Sequence, residues 1–374
     1  LYAANLLGSA LGGLVPVLAF PLLGEGTVLV IAALGLLAAL AFQYPNSNIQ
    51  QKALLLVPCC LLVLLAWVLP APFQLRLSPY KGLSQVLRFP DAQVVWQRWN
   101  AFSRVDRVAS SAIRSAPGLS LDYPGELPVE DGLFVDGDDL SPVVVGTSDL
   151  QGFTDYLPVA LPYRLRPKGR ALVLEPRGGL DVLVAQEQGA ASVTAVESNP
   201  LLVEAAGGVY RDAPVQVAVE EGRSYVRRSQ ESFDVIHLAL SDSYRPVTSG
   251  AYSLGERYDL TVEAFEDYLK RLRPGGLLVV ERWLQLPPSE MLRAGATAVE
   301  ALRRAGVDDP AAQLAVVRGW QIGLILIKNG AFAPEELAAI RGFSQAQDLD
   351  LVALSGLTEA EANQYNLLPE PVYY

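Results

Sequence analysis

The pattern of hydrophobic positions changes character twice along the chain. Residues 1–70 hold three nearly unbroken apolar runs, Leu1–Leu23, Thr27–Gln43 and Ala53–Pro70, and their only charges are Glu25 and Lys52. A helix needs about 20 mainly apolar residues to cross a bilayer, with about 17 as the lower limit, so the pattern predicts three membrane-spanning helices. Gly8 and Gly12 form a G-x-x-x-G spacing in the first run, which permits close helix packing. From 71 to about 150 the runs shorten. Ser84–Phe89, Gln93–Trp99, Arg104–Ala109, Gly132–Val135 and Pro142–Val145 are rich in Val, Phe and Trp and are divided by Pro, Gly and Asp, which predicts a small β domain.

From about 167 strands and helices alternate. Strands are predicted at Arg170–Leu174, Ser192–Glu197, Val215–Val219, Phe233–Leu240 and Leu277–Glu281. Helices are predicted at Leu180–Gln188, Pro200–Gly207, Tyr225–Arg228 and Thr261–Leu272, the last ending at Arg273-Pro274-Gly275-Gly276. Leu314–Val317 and Ile322–Lys328 read as an antiparallel pair, and Pro334–Phe343 as a helix. Strands alternating with helices imply right-handed βαβ units on a parallel sheet. The expected fold class is therefore α/β: transmembrane helices over 1–70, a small β domain over 71–150, a doubly wound Rossmann-like sheet over 151–330, and an extension over 331–374.

Composition and charge narrow the chemistry. The formal net charge is −11, with 29 Lys+Arg against 40 Asp+Glu, which argues against a nucleic-acid partner. A single histidine excludes a site with two His ligands and disfavours a Ser-His-Asp hydrolase. The two cysteines, Cys59 and Cys60, are adjacent and make neither a disulfide framework nor a four-Cys zinc site, and no metal site is expected. After Pro70 come Arg76, Lys81, Arg88, Arg98, Arg104, Arg107 and Arg114, so the positive-inside tendency predicts a multi-pass cell-membrane protein with everything after Pro70 in the cytoplasm. The chain opens inside an apolar run and stops abruptly at Pro369-Glu370-Pro371-Val372-Tyr373-Tyr374, so it is expected to be part of a longer protein.

A doubly wound sheet binds ligands beyond the C-terminal ends of its strands. The first such strand ends in Glu175-Pro176-Arg177-Gly178-Gly179-Leu180-Asp181, where paired glycines allow a sharp turn and close approach to a ligand. Asp181 is placed to cap the following helix. The second ends at Glu197, 22 positions after Glu175, where a carboxylate can accept both hydroxyl protons of a ribose. The third ends in Glu220-Glu221-Gly222-Arg223, an acid-Gly pair suited to an adenine amino group. Asp242, Tyr244, Tyr252 and Glu256 follow the fourth strand and offer an acceptor pocket, whereas His237 sits among Ile236, Leu238 and Leu240 and reads as a buried, hydrogen-bonded histidine.

These segments, with Tyr2-Ala3-Ala4-Asn5, Ser78-Pro79-Tyr80-Lys81-Gly82, Ala195-Val196-Glu197, Glu221-Gly222-Arg223-Ser224, Phe233-Asp234 and Leu272-Arg273-Pro274-Gly275-Gly276, resemble the spermidine synthase family. The likeness is to its membrane-fused bacterial members, and more broadly to the class I methyltransferase-like fold. It implies a role in polyamine biosynthesis, with S-adenosylmethionine or its decarboxylated form as co-substrate. By the same likeness, Gly178, Gly179 and Gly222 contribute to the nucleoside site, Glu197 holds the ribose, Glu221 faces the adenine and Asp242 is catalytic. The implied partners are a small-molecule amine or other acceptor and membrane lipid, with a homodimer left open. The sequence departs from the family where a catalytic Asp gives way to Ala239 and a His-Glu pair to Leu157-Pro158, and Glu175, Pro176 and Arg177 stand in the glycine-rich run. Methyl transfer on the same fold, or nucleoside binding without catalysis, are the competing readings.

Overall fold

The computed structural model describes residues 2–43, 57, 60, 61, 64, 76–101, 103–146, 150–211, 215–241, 258–284 and 289–361. The chain divides into two compact units, residues 1–108 with 134–138, and residues 109–133 with 139–374.

The first unit begins with helix α1 (Tyr2–Leu23), a 3-10 turn at Gly24–Gly26 and helix α2 (Thr27–Gln43). Leu11, Leu14, Leu18, Leu22, Val28 and Ile31 of these helices are exposed, so their apolar faces have no protein partner among the described residues. The stretch Gly8–Ala38 is long and apolar enough to cross a membrane, and the predicted third span, Ala53–Pro70, lies almost wholly outside the described residues. The turn between α1 and α2 packs on strand β1 (Gln93–Trp99): Phe20 stacks on Trp99 with ring centroids 5.5 Å apart. Gly24 (φ +51°) passes so close that an added Cβ would meet Trp99 Cδ1 at 3.0 Å. Beside it, the Arg104 guanidinium of β2 (Arg104–Ala109) meets Glu25 at 3.0 Å and Asp106 at 2.7 Å.

The expected strand Ser84–Phe89 is instead the short helix Gly82–Val86. Leu83 and Val86, three apart, are both buried, and a strand would have turned one of them to the opposite face. Strands β3 (Val129–Val135) and β4 (Asp138–Val145) extend well beyond the predicted segments, because Asp136 and Gly137 (φ 52° and 73°) form a two-residue turn with the geometry of a tight hairpin. The four strands pair in the order β1-β2-β3-β4 in an antiparallel sheet.

The second unit is built on an eight-stranded mixed sheet. Its strands are β5 (Arg170–Leu174), β6 (Ser192–Val196), β7 (Val215–Ala218), β8 (Phe233–Leu238), β9 (Leu272–Trp283), β10 (Leu314–Arg318), β11 (Ile322–Lys328) and β12 (Asp350–Ala353). The order is β7-β6-β5-β8-β9-β11-β10-β12. β7, β6, β5, β8 and β9 run parallel, β11 is antiparallel to β9, and β10 is antiparallel to both β11 and β12. The strand order reverses between β5 and β8.

Leu172, Leu174, Ile236, Leu238, Leu278 and Val280 point to one face of the sheet and pack on the helices Val262–Leu269 and Ser289–Arg304. The second of these helices, and β12, were not apparent from the sequence. Leu272–Gly276, expected to end a helix, instead begins β9. Gly275 (φ +77°) lets the strand bend there, and the pairing register with β8 shifts between Phe233 and Val235.

Candidate active site

The predicted site residues that the structure describes follow the ends of β5, β6 and β7. The turn after β5 enters the left-handed region at two non-glycine positions as well as at a glycine: Glu175, Arg177 and Gly179 have φ of +54°, +50° and +88°. A non-Gly residue in this region is strained and is held by its surroundings. Here the Tyr210 hydroxyl donates to the Arg177 carbonyl at 3.0 Å, the Arg177 amide donates to Glu197 at 3.1 Å, and Ser141 Oγ accepts from the Gly178 amide at 3.0 Å.

The two glycines predicted to cradle a nucleoside are closely packed against the chain itself. A Cβ on Gly178 would sit 2.1 Å from the Pro142 carbonyl oxygen, and one on Gly179 would meet Val209 Cγ1 at 2.3 Å.

Glu197, the predicted ribose ligand, is only 1% exposed at the end of β6. Its two oxygens accept from the Arg177 amide at 3.1 Å and the Asn199 amide at 3.0 Å. Burial and the neighbouring Glu175 carboxylate push it up to about 8. Glu175 hydrogen-bonds to Glu197, accepts from Ser198 Oγ at 2.9 Å, and is itself raised by burial. Two carboxyls side by side share a proton more readily than they hold two charges.

Glu221 is exposed and caps the helix Gly222–Arg228, accepting from the Arg223 and Ser224 amides at 3.0 and 2.7 Å. Gly222 is buried beneath it against Leu174. Asp242, Tyr244, Tyr252 and Glu256 lie outside the described residues. Ala239 and Leu157 are buried apolar residues, and Pro158 begins a 3-10 turn.

Three acidic or basic side chains meet on the face of the sheet opposite the Leu172–Val280 core. Asp181 does not cap its helix. Gly179 holds the N-cap position and Asp181 hydrogen-bonds to Glu281 instead. Burial, and then their mutual proximity, raises Asp181 to about 7, and burial raises Glu281 to about 8. His237 is buried and hydrogen-bonded as expected, its Nδ1 lying 3.2 Å from the Tyr163 hydroxyl, and burial lowers its pKa. Its Nε2 faces Glu281 Oε2 at 3.8 Å. Asp181 and Glu281 line a cavity of about 20 Å³, walled also by Ser141, Pro176, Leu180 and Leu240, which is room for about one water. The sequence signal for Glu281 was only a charged residue closing an apolar strand, Leu277–Val280.

The fold has known counterparts. It is similar to a probable spermidine synthase from Corynebacterium glutamicum ATCC 13032 at 18% identity, over 75% of this chain and 100% of that one, with a TM-score of 0.47. It is similar to spermidine synthase from Thermotoga maritima at 16% identity, over 66% and 78%, with a TM-score of 0.42. Human methyltransferase-like protein 13, solved in complex with SAH, matches at 16% identity over 51% and 86%, with a TM-score of 0.36. No family model and no curated protein matches the sequence.

Proposed function

We propose that the second unit is a spermidine synthase-like transferase domain that binds a sulfonium nucleoside, S-adenosylmethionine or its decarboxylated form, and passes an aminopropyl group to an amine. The N-terminal apolar helices hold it at the cell membrane, with this domain on the cytoplasmic side. Glu197 carries the reading. A carboxylate buried at the end of the strand beside the switch point is costly for the fold and has a use there, accepting the two hydroxyl protons of a ribose. The Gly178–Gly179 turn borders the same position and Glu221 offers an acid one strand further out. Binding requires the Glu175 side chain to swing off Glu197. Asp242 is the acid assigned to the acceptor amine.

A specific observation favours a second reading, a domain that binds a nucleoside weakly and does not turn it over. Glu197 is already engaged by Glu175 and by the Arg177 and Asn199 amides, and no acid stands at Ala239. Calorimetric titration of the full chain in detergent with S-adenosylmethionine, decarboxylated S-adenosylmethionine and methylthioadenosine separates the two. Tightest binding of the decarboxylated donor, with methylthioadenosine formed when putrescine is added, supports aminopropyl transfer. Tightest binding of the intact donor moves the assignment to methyl transfer. Binding without product supports the second reading, and no binding overturns both.

A further inference from the structure

We propose that Asp181, His237 and Glu281 form a binding site for one first-row divalent metal ion. One atom from each, a carboxylate oxygen of Asp181 and of Glu281 and a ring nitrogen of His237, lie within 4.8 Å of one another, and all three side chains are buried. Asp181 and Glu281 hydrogen-bond to each other, a bond a cation would replace, but two further atoms of the cluster stay unmet: His237 Nε2 and Glu281 Oε2 are both buried, face each other at 3.8 Å, and have no hydrogen-bond partner among the described residues. Buried polar atoms normally find a partner, so a pair of unpartnered acceptor positions aimed at one point marks a place for a cation.

Tyr163 Oη lies 3.2 Å from His237 Nδ1. With the proton on Nδ1 donated to that oxygen, the Nε2 lone pair is free and directed at Glu281. A metal-bound histidine is commonly fixed in this way through its other nitrogen. The Nε2–Oε2 distance of 3.8 Å is a few tenths wider than the edge of a tetrahedral site with bonds of about 2.0–2.1 Å, so small side-chain rotations close it. One imidazole and two carboxylates suit Mn²⁺, Fe²⁺, Co²⁺ or Zn²⁺ better than Ca²⁺ or Mg²⁺, which favour all-oxygen shells. The single histidine of the chain, which excludes a site with two His ligands, is sufficient for this one.

The open position is set by the cavity. Asp181 and Glu281 line it and His237 does not, so a metal held by the three would have the space for one water beside its two carboxylate ligands. The ligand taken there is an oxygen, from water or from an acceptor hydroxyl or carboxylate.

The test uses the full chain in detergent, stripped with chelator and titrated with CoCl₂, MnCl₂ and ZnCl₂ in the absence of any nucleoside, so that its result is independent of the transferase assignment. The expected result is one equivalent bound, with visible Co²⁺ absorption bands that Zn²⁺ abolishes. Glu281→Gln and His237→Gln should weaken binding by at least about tenfold, and Tyr163→Phe, which removes only the outer hydrogen bond, by about tenfold with a shifted Co²⁺ spectrum. Near-UV circular dichroism checks that each variant is folded. Absence of stoichiometric binding of all three metals by the wild-type chain overturns the proposal, as does unchanged binding by a folded Glu281→Gln variant.

Discussion

Glu175 and Glu197, the residues that follow the ends of the neighbouring strands β5 and β6, are joined carboxyl to carboxyl by a hydrogen bond. Both pKa values are raised, Glu197 to about 8, with burial the leading cause in each. A carboxyl whose folded pKa lies above its unfolded value binds its proton more tightly in the native state. The native state therefore holds more protons than the unfolded state between about pH 4.5 and pH 8, and this pair's contribution to stability falls as pH rises through that window. Glu175→Gln removes the neighbouring charge that raises Glu197. Its urea midpoint should consequently fall less than that of the wild type between pH 5 and pH 8. Parallel midpoints for the two proteins would show that the carboxyls are not coupled.

The same pair bears on the proposed ribose position. Glu175 has φ of +54°, a region that costs an L-residue about 1–2 kcal/mol and glycine almost nothing. Glu175→Gly relieves that strain and loses the 2.9 Å bond from Ser198, while the added freedom of the unfolded chain costs about 0.4–1 kcal/mol, so net stability should change by less than about 1 kcal/mol. The carboxyl beside Glu197 is gone. If only a minor open population binds nucleoside in the wild type, methylthioadenosine affinity should rise by roughly tenfold in the variant. Unchanged affinity by calorimetry would separate Glu175 from ribose access.

Gly178 tests how tightly the turn is packed. A Cβ there would lie 2.1 Å from the carbonyl oxygen of Pro142, a backbone atom that cannot rotate away. Gly178→Ala should therefore destabilise the second unit by about 1–3 kcal/mol, in the range of overpacked interiors, and weaken nucleoside binding along with it. Denaturant unfolding followed by tryptophan fluorescence measures the first effect. A loss under about 0.5 kcal/mol would mean that β4 yields easily.

The strands of the eight-stranded sheet were legible where each is a short apolar run between turn residues; the parallel Arg170–Leu174 and the antiparallel Ile322–Lys328 fall where the pattern puts them. Ser289–Arg304 was missed although its apolar residues, Met291, Ala294, Ala298, Ala301 and Leu302, recur at helical spacing, because most are alanines and carry little hydrophobic contrast. Helix Gly82–Val86 shows the opposite failure, since two buried residues in so short a segment fit either period until the tertiary packing chooses one. The placement of Glu197 and of the Gly178–Gly179 turn just after strand ends was readable from the pattern. The Asp181–His237–Glu281 cluster was not. Its members come from a helix and two strands 44 to 100 positions apart in sequence, and only the adjacency of β5, β8 and β9 brings them together.

The first unit depends on one arginine. Arg104 reaches Asp106 through Nε at 2.7 Å and through its second terminal nitrogen at 2.8 Å, and spends the third nitrogen on Glu25 at 3.0 Å. The fork geometry matches a carboxylate on one side while still serving another, which lysine's point charge does not do. Asp106 is fully buried, and burial raises its pKa even with the arginine present. Arg104→Met leaves that carboxyl without a cation and should destabilise the unit by about 3–5 kcal/mol at neutral pH, since breaking a buried pair costs more than the pair contributes. Asp106→Asn in the same chain removes the stranded charge and should recover much of the loss. Arg104→Lys keeps a charge but not the two-pronged bond, and should fall between the wild type and Arg104→Met. Thermal unfolding of the four proteins in one detergent gives the ranking. If the double variant is no more stable than Arg104→Met, the cost lies in lost packing against Trp99, whose ring centroid is 5.9 Å from the guanidinium carbon, rather than in the unpaired carboxylate.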